Sequence, residues 1–304
     1  MKIVFMGSPD FAIPSLVKLY ESPHEIVSVV SNIDKRRGRG AGTSPTPVKA
    51  KALDYELPVK GVENLNDKGF AEQLKALEAD LFVVVAFRIL PKHILEIPGK
   101  GSVNLHASLL PKYRGAAPIH WAVMNGEEKT GCTVFFLDEK VDTGSIIKQD
   151  ETPIGPNETT GDVYNRLKHL GSKVLLESVN EIEDSSYSLV PQDDSKATPA
   201  PKLFKEDCKI DFNNPAREVH NKIRGLSPFP TAWAELDDLK FNMYRSRIAS
   251  TGKLKPGQID IEDDNMMAGT KDRDIILEEV QIQGKRKMSG KDFMNGYSGT
   301  GILH

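Results

Sequence analysis

The chain has 304 residues, 39% of them apolar and 27% charged, with a net charge of −3. That length predicts two domains or one large one, and the mix excludes a wholly disordered chain. The sequence has no apolar run of about 18 residues to span a membrane, and its start, MKIVFMGSPD, carries no secretory signal, so a cytoplasmic protein is expected. Cys132 and Cys208 are too few and too far apart for a disulfide framework or a structural zinc site.

Lys2–Met6 is a short apolar run closed by Gly7 and predicts a buried strand. Phe11–Tyr20 predicts a helix that carries Pro14 in its first turn. Glu25–Ser31 predicts a second strand, and the Gly- and Pro-rich residues 34–51 after it predict a loop. That loop holds Lys35, Arg36, Arg37, Arg39, Lys49 and Lys51 against Asp34 alone, in a mildly acidic chain. Such a concentration suits a phosphate-binding surface.

Lys68–Leu77 is amphipathic and helical. Leu81–Phe87, LFVVVAF, is a continuous apolar run with β-branched residues and no alternation, as in a parallel strand covered on both faces. Gly101–Leu105 and Cys132–Leu137 predict further strands. Strands separated by helices imply βαβ units and a helix-covered, mostly parallel sheet, an α/β domain. Thr160–Val179 carries Val163, Leu167, Leu170, Val174 and Leu175 at helical spacing, with Thr159 or Thr160 as cap. The stretch DDSKATPAP, 193–201, predicts a linker.

Beyond the linker the pattern changes. Asn214 as cap, Pro215 at the first helical position and Gly225 just past the end bracket one helix. Thr231–Leu236, Leu239–Ile248 and Asp274–Ile282 predict strands between Gly-, Asp- and Asn-rich turns, as in a small β-barrel or sandwich.

Two segments can carry chemistry. GSPDFA, 7–12, follows the first strand, but the GxGxxG dinucleotide fingerprint is absent. In GSVNLHASLLPKYRGAAPIHW, 101–121, Asn104 and His106 lie two apart and so face one way at the end of a strand. Carboxyl ends of strands are where open α/β sheets bind ligands. Asp142, in LDEKVDTG after the next apolar strand, can reach the same crevice. Each residue alone is equally compatible with an ordinary structural role. Together they supply a hydrogen-bond donor, an imidazole and a proton acceptor, a set suited to acyl transfer onto an amine that is itself the nucleophile.

NLHASLLPKYRGAAPI, 104–119, resembles the N-x-H-x-S-L-L-P-x-x-R-G-x-x-P signature of formyltransferases that use 10-formyltetrahydrofolate. GSPDFA, VVVAF, VDTG, KEDCKIDF at 205–212, IRGLSPFPTAW at 223–233 and GKRKM at 284–288 are similar to the members of that family acting on methionyl-tRNA. The similarity runs to about residue 296. One departure is AFRILP, 86–91, where many members have Tyr-Gly-x-x-Leu-Pro. The loop is one residue shorter, with Arg88 in place of a glycine.

The resemblance implies a Rossmann-like, mostly parallel catalytic domain over 1–190, a linker over 191–201 and a small OB-like β-barrel over 202–304 that binds tRNA. It implies Asn104, His106 and Asp142 as the catalytic trio. It places Phe87, Arg88, Leu90, Ser108, Leu109, Leu110, Pro111 and Asp138 around the folate co-substrate, and Arg36, Arg37, Arg39 and Lys49 against methionyl initiator tRNA. No metal and no membrane are expected, and a monomer is.

Overall fold

Leu81–Val85 is buried at every position, the burial that an unbroken apolar run predicts for the middle of a sheet. The computed structural model describes residues 1–36, 43–299 and 301–304. Its first half contains β1 (Lys2–Gly7), α1 (Ile13–Tyr20), β2 (Glu25–Asn32), the short pair β3 (Lys35–Arg36) and β4 (Thr43–Ser44), α2 (Pro47–Asp54), β5 (Val59–Val62), α3 (Lys68–Lys75) and β6 (Leu81–Val85). It continues with α4 (Lys92–Leu95), β7 (Ser102–His106), α5 (Pro118–Met124), β8 (Lys129–Phe136), β9 (Ile146–Pro153) and α6 (Thr160–Glu183). The second half contains α7 (Ala216–Gly225), β10 (Ala232–Leu236), β11 (Leu239–Ile248), β12 (Ile259–Glu262), β13 (Asn265–Gly269), β14 (Asp274–Ile282), β15 (Met288–Ser289) and α8 (Gly290–Asn295).

Contacts divide the chain into two compact units. The first holds Met1–Gly115, Gly131–Thr152 and Asn165–Pro199, and the second holds Ala116–Thr130, Pro153–Tyr164 and Ala200–His304. Among the described residues no helix is long and apolar enough to cross a membrane.

Seven strands form one sheet in the order β5-β2-β1-β6-β7-β8-β9. The pairs from β5 to β7 are parallel, and β7 with β8 is antiparallel. The chain steps outward from β1 through β2 to β5 and then crosses to β6, so the strand order reverses between β1 and β6. Gly7 sits at that reversal. A Cβ there would stand 3.0 Å from the Val85 carbonyl oxygen and from the Ala12 Cβ. On one face Val4, Met6, Phe82 and Val84 pack with Phe70, Leu74 and Ile94. On the other, Gly171 of α6 lies so close that a Cβ would meet Leu105 at 2.9 Å and the Cys132 sulfur at 3.1 Å.

In the second unit the strands run β10-β11-β14-β13-β12, with β15 on β14, all antiparallel. Two of its hairpins turn on Asp-Asp pairs. Asp237 and Asp238 have φ of 49° and 61°, and Asp263 and Asp264 have 48° and 64°. Aspartate tolerates this left-handed backbone and supplies the primed turns that tight hairpins need.

Several predicted boundaries shift. The strand at 81 ends at Val85, because Ala86 takes φ of 48° and turns out of the ladder. The expected loop 34–51 is partly helical. Thr46 accepts a hydrogen bond from the Lys49 amide and Pro47 opens α2, so Lys49 and Lys51 lie on a helix. Pro215 rather than Asn214 stands at the cap of α7, and Gly225 lies inside its last turn. The 191–201 stretch contains a 3₁₀ turn at Asp194–Lys196, and Pro199 bridges to Arg114.

The IRG segment is a packing element. Arg224 is 4% exposed, and its guanidinium donates to the Asn221 side chain and to the carbonyls of Gly155 and Glu158. Burial pushes that guanidinium below its ordinary pKa. A Cβ on Gly225 would stand 2.3 Å from Met124 Cγ and 2.9 Å from the Met124 amide nitrogen, because α5 and α7 touch there. Gly225→Ala is therefore expected to destabilise the second unit by about 1–3 kcal/mol. Chemical denaturation should show an earlier unfolding midpoint, and a midpoint equal to that of wild type would disprove the close packing.

Candidate active site

β7 presents Asn104 and His106 on one face, since strand side chains alternate. Asn104 pairs with Val84 on one side and Phe135 on the other, and His106 pairs with Thr133. Leu105 points the other way, towards α6. Asn104 is half-buried and His106 is 7% exposed.

His106 Nε2 lies 2.8 Å from the Tyr113 carbonyl oxygen. A carbonyl only accepts, so Nε2 carries a proton and donates it. Nδ1 is then the free ring nitrogen, and it faces Asp142 Oδ2 at 3.8 Å. That separation is too long for a direct hydrogen bond. A nitrogen or water oxygen about 2.8 Å from both atoms closes the gap.

Asp142 does not reach this position by simply following a neighbouring strand. β8 is antiparallel, so its end lies beside the start of β7: the Leu137 amide donates to the Ser102 carbonyl. Residues 137–145 must run back along β7 to reach His106, roughly 13 Å at strand spacing. The VDTG residues make that return possible. Asp142 takes φ of 56°, in the left-handed region. Thr143 donates to the Asp138 carboxylate at 2.7 Å. Gly144 lies against the end of β8, where a Cβ would be 1.7 Å from the Phe136 carbonyl oxygen. The Gly115 amide then donates to Asp142 Oδ2 at 2.9 Å.

Residues 108–111 form a wall beside His106, held by groups the sequence did not single out. The Thr133 hydroxyl donates to the Ser108 carbonyl at 2.7 Å and accepts from the Leu110 amide at 3.2 Å. Gln149 Nε2 donates to the Thr133 oxygen at 2.7 Å and to the Leu110 carbonyl at 2.9 Å. The Ser108 hydroxyl donates to the Lys112 carbonyl, and Leu110–Pro111 is a cis peptide. Leu110 packs with Phe135 and Ile146. Leu109 approaches Gly131, whose absent Cβ would meet the Leu109 side chain at 2.5 Å.

The other expected folate residues are spread. Phe87 and Arg88 line a cleft of about 530 Å³ with Ser8, Asn32 and Thr46, outside the carboxyl ends of β1, β2 and β6. Arg88 reaches away from β7 and donates to the Val62 and Glu63 carbonyls at 2.8 and 2.7 Å. Leu90 is buried in the apolar cluster with Ile94. Asp138, at the start of the return loop, is tied to Thr143. Of the expected tRNA contacts, Arg37 and Arg39 and the Arg36 side chain lie outside the described residues. Lys49 forms a salt bridge to Asp34 at 2.8 Å.

The second unit carries a surface that sequence analysis missed. The ammonium groups of Lys205, Lys209 and Lys240 stand 5.6, 5.4 and 5.4 Å from the Trp233 ring, and Lys202 stands 5.6 Å from Phe204. Phe229 is 78% exposed, and its carbonyl accepts from His120 Nε2. All of these residues except Lys209 line a cleft of about 510 Å³. The signal was present as lysines between aromatics, but scattered over four segments of the sequence.

The formyl transferase family matches residues 1–179, and the formyl transferase C-terminal domain matches residues 202–298. The methionyl-tRNA formyltransferase of Alkaliphilus oremlandii is 42% identical over 97% of this chain and 96% of its own length. That of Azobacteroides pseudotrichonymphae is 42% identical over 100% and 98%. A solved N-formyltransferase from Helicobacter canadensis shares the fold over 91% of this chain and 98% of its own, with a TM-score of 0.68 at 21% identity.

Thr133→Val removes the hydroxyl on which the 108–111 wall hangs and strands buried partners, at about 1–3 kcal/mol each. A lower denaturation midpoint and faster proteolytic cleavage within residues 107–112 are expected. Unchanged cleavage would show that the wall stands without it.

Proposed function

The chain belongs to the methionyl-tRNA formyltransferase family, and we propose that it moves a formyl group from 10-formyltetrahydrofolate to the α-amino group of methionine on initiator tRNA, for translation initiation. The observation that carries this at the site is the meeting of His106 and Asp142 at 3.8 Å, with Asn104 on the same strand face. One feature supports a folate donor: the 108–111 segment next to His106 is fixed by internal hydrogen bonds and so offers a preformed surface.

The co-substrate supplies a formyl carbon on a nitrogen that leaves with one proton. The methionyl amine attacks that carbon and loses one proton. Asn104 donates from its amide to the formyl oxygen as negative charge develops there. Asp142, adjoining His106 Nδ1, accepts the amine proton, and His106 relays a proton through Nδ1, stabilising the oxyanion only while Nδ1 carries that proton. Nε2 takes no part, because the Tyr113 carbonyl holds its proton. None of these groups bears on the ground state, so they act on rate rather than on binding.

For tRNA, one feature of the sequence and one surface support the proposal. One is the basic segment around Arg36, Arg37, Arg39 and Lys49. The other is the Trp233 surface, where cations surround an aromatic face, a combination suited to phosphates and unpaired bases together.

A single-turnover assay with formyl donor and charged initiator tRNA tests the reading. Absence of formyl-methionyl product with active substrates would overturn it. Asn104→Ala is expected to slow the chemical step by about 10²–10³. His106→Ala and Asp142→Asn should lose most of the turnover while substrate binding survives, and a near-normal rate in either would remove that residue from the mechanism. Arg39→Ala should weaken tRNA binding and lower its salt slope by about one unit. An affinity equal to wild type at every salt concentration would leave Arg39 without a role in tRNA recognition.

A further inference from the structure

We propose that Gln192 is a positioning residue that holds Asp142 at His106 and couples it to the segment carrying Tyr113 and Gly115. The proposal rests on the catalytic role given to Asp142 above.

Asp142 takes a left-handed φ of 56°, which aspartate tolerates better than most L residues, in a stretch that neither a helix nor a strand ladder holds. Its placement at Nδ1 therefore depends on the groups that fix this turn. The side-chain amide of Gln192 stands across it. Its Nε2 donates to the Asp142 carbonyl at 2.9 Å and to the Gly144 carbonyl at 2.8 Å. These two bonds fix the Asp142–Thr143 and Gly144–Ser145 peptide groups.

The other end of the same amide is also committed. Gln192 Oε1 accepts from Arg114 Nε at 3.1 Å and from Arg114 Nη2 at 2.7 Å. Both donors and both lone pairs of the amide are therefore used. Arg114 lies between Tyr113, whose carbonyl receives His106 Nε2, and Gly115, whose amide donates to Asp142 Oδ2. The two segments that set the ring and the carboxylate thus meet at one glutamine. Thr198 braces the same stretch: it accepts from the Tyr113 amide through its hydroxyl and from the Arg114 amide through its carbonyl.

The arrangement is selective in its chemistry. An amide is the one side-chain group that can give two protons to carbonyls and take two from a guanidinium in this geometry. A carboxylate of the same shape keeps the Arg114 side and loses the other. Gln192→Glu therefore sets an oxygen opposite the Asp142 and Gly144 carbonyls while leaving Arg114 paired.

The test is single-turnover formyl transfer with Gln192→Glu, at saturating donor and charged initiator tRNA. The rate constant is expected to fall on the order of 10- to 100-fold, with KM for both substrates unchanged, as displacement of a reacting group by about 1 Å does. A purely structural role would lower the reaction amplitude, through a smaller folded fraction, and leave the rate constant alone. Gln192→Met, which keeps length and loses both donors, serves as the second variant if the glutamate does not fold. A wild-type rate constant in either folded variant overturns the proposal. Asp142→Asn run in parallel separates the two claims. If it too keeps the wild-type rate, the reading of the site has failed. If it is slow while the Gln192 variants are normal, only the positioning role has failed.

Discussion

His106 gives its Nε2 proton to the Tyr113 carbonyl, 2.8 Å away, and the rest of the site is arranged around that bond. A ring held at one nitrogen has a fixed tautomer and a fixed plane, so only Nδ1 is left for chemistry. The acid partner must come to Nδ1, and β8 runs the wrong way to deliver it directly. The 137–145 loop therefore doubles back. That return requires the left-handed Asp142, the absent side chain at Gly144 and the Asp138–Thr143 bond. Tyr113 itself has φ of 61°, a left-handed conformation that strains a bulky side chain more than it does aspartate. Strain of this kind persists only where surrounding contacts over-determine it. Here those contacts are the hydrogen bonds of Gln192, Gly115 and Thr198.

Much of the catalytic unit was legible in the sequence because its signals are local. An unbroken apolar run marked β6, and period two put Asn104 and His106 on one face. Gly7, Gly144 and the SLLP segment stood in motifs whose geometry they serve. What was illegible depends on partners far along the chain. Nothing in residues 129–136 says that β8 is antiparallel, and so nothing gave the path of Asp142. Thr133 and Gln149 look like ordinary strand residues until the 108–111 wall folds onto them. Gln192 falls at the edge of a polar, Pro-containing stretch, and composition there indicated only a linker. α2 was hidden for the opposite reason: Gly and Pro around it outweighed the Thr46 cap and Pro47 that start it.

Residues within a family signature divide in the same way. IRGLSPFP reads as one block, yet Arg224 is buried against carbonyls and Gly225 makes room for Met124, while Phe229 is open to solvent. A signature thus mixes groups that pack with groups that are presented, and only burial separates them. Arg88 shows the converse. It stands in the loop after β6, and its guanidinium spans to the end of β5. A side chain there braces the loop across the gap to β5.

The two kinds of charge in this protein are subject to different physics. The lysines around Trp233 stand at a water-facing surface, where ions screen interactions beyond about 8–10 Å. Their attraction for a polyanion is long-ranged at low salt and falls as salt rises. Asp142 and His106 are 9% and 7% exposed, and their mutual field acts over less than 4 Å through protein rather than solvent. Salt reaches the first set and scarcely touches the second. Attraction of a large anion can therefore be tuned by composition of the surface, residue by residue, without disturbing the placement of the Asp142 carboxylate at His106 Nδ1. That placement is controlled instead by neutral groups: a carbonyl on the ring, an amide on the carboxylate and a glutamine between them. Neutral dipoles fix position without adding a formal charge beside the ring, so the spacing of Nδ1 and Oδ2 is set independently of the salt that governs the lysine surface.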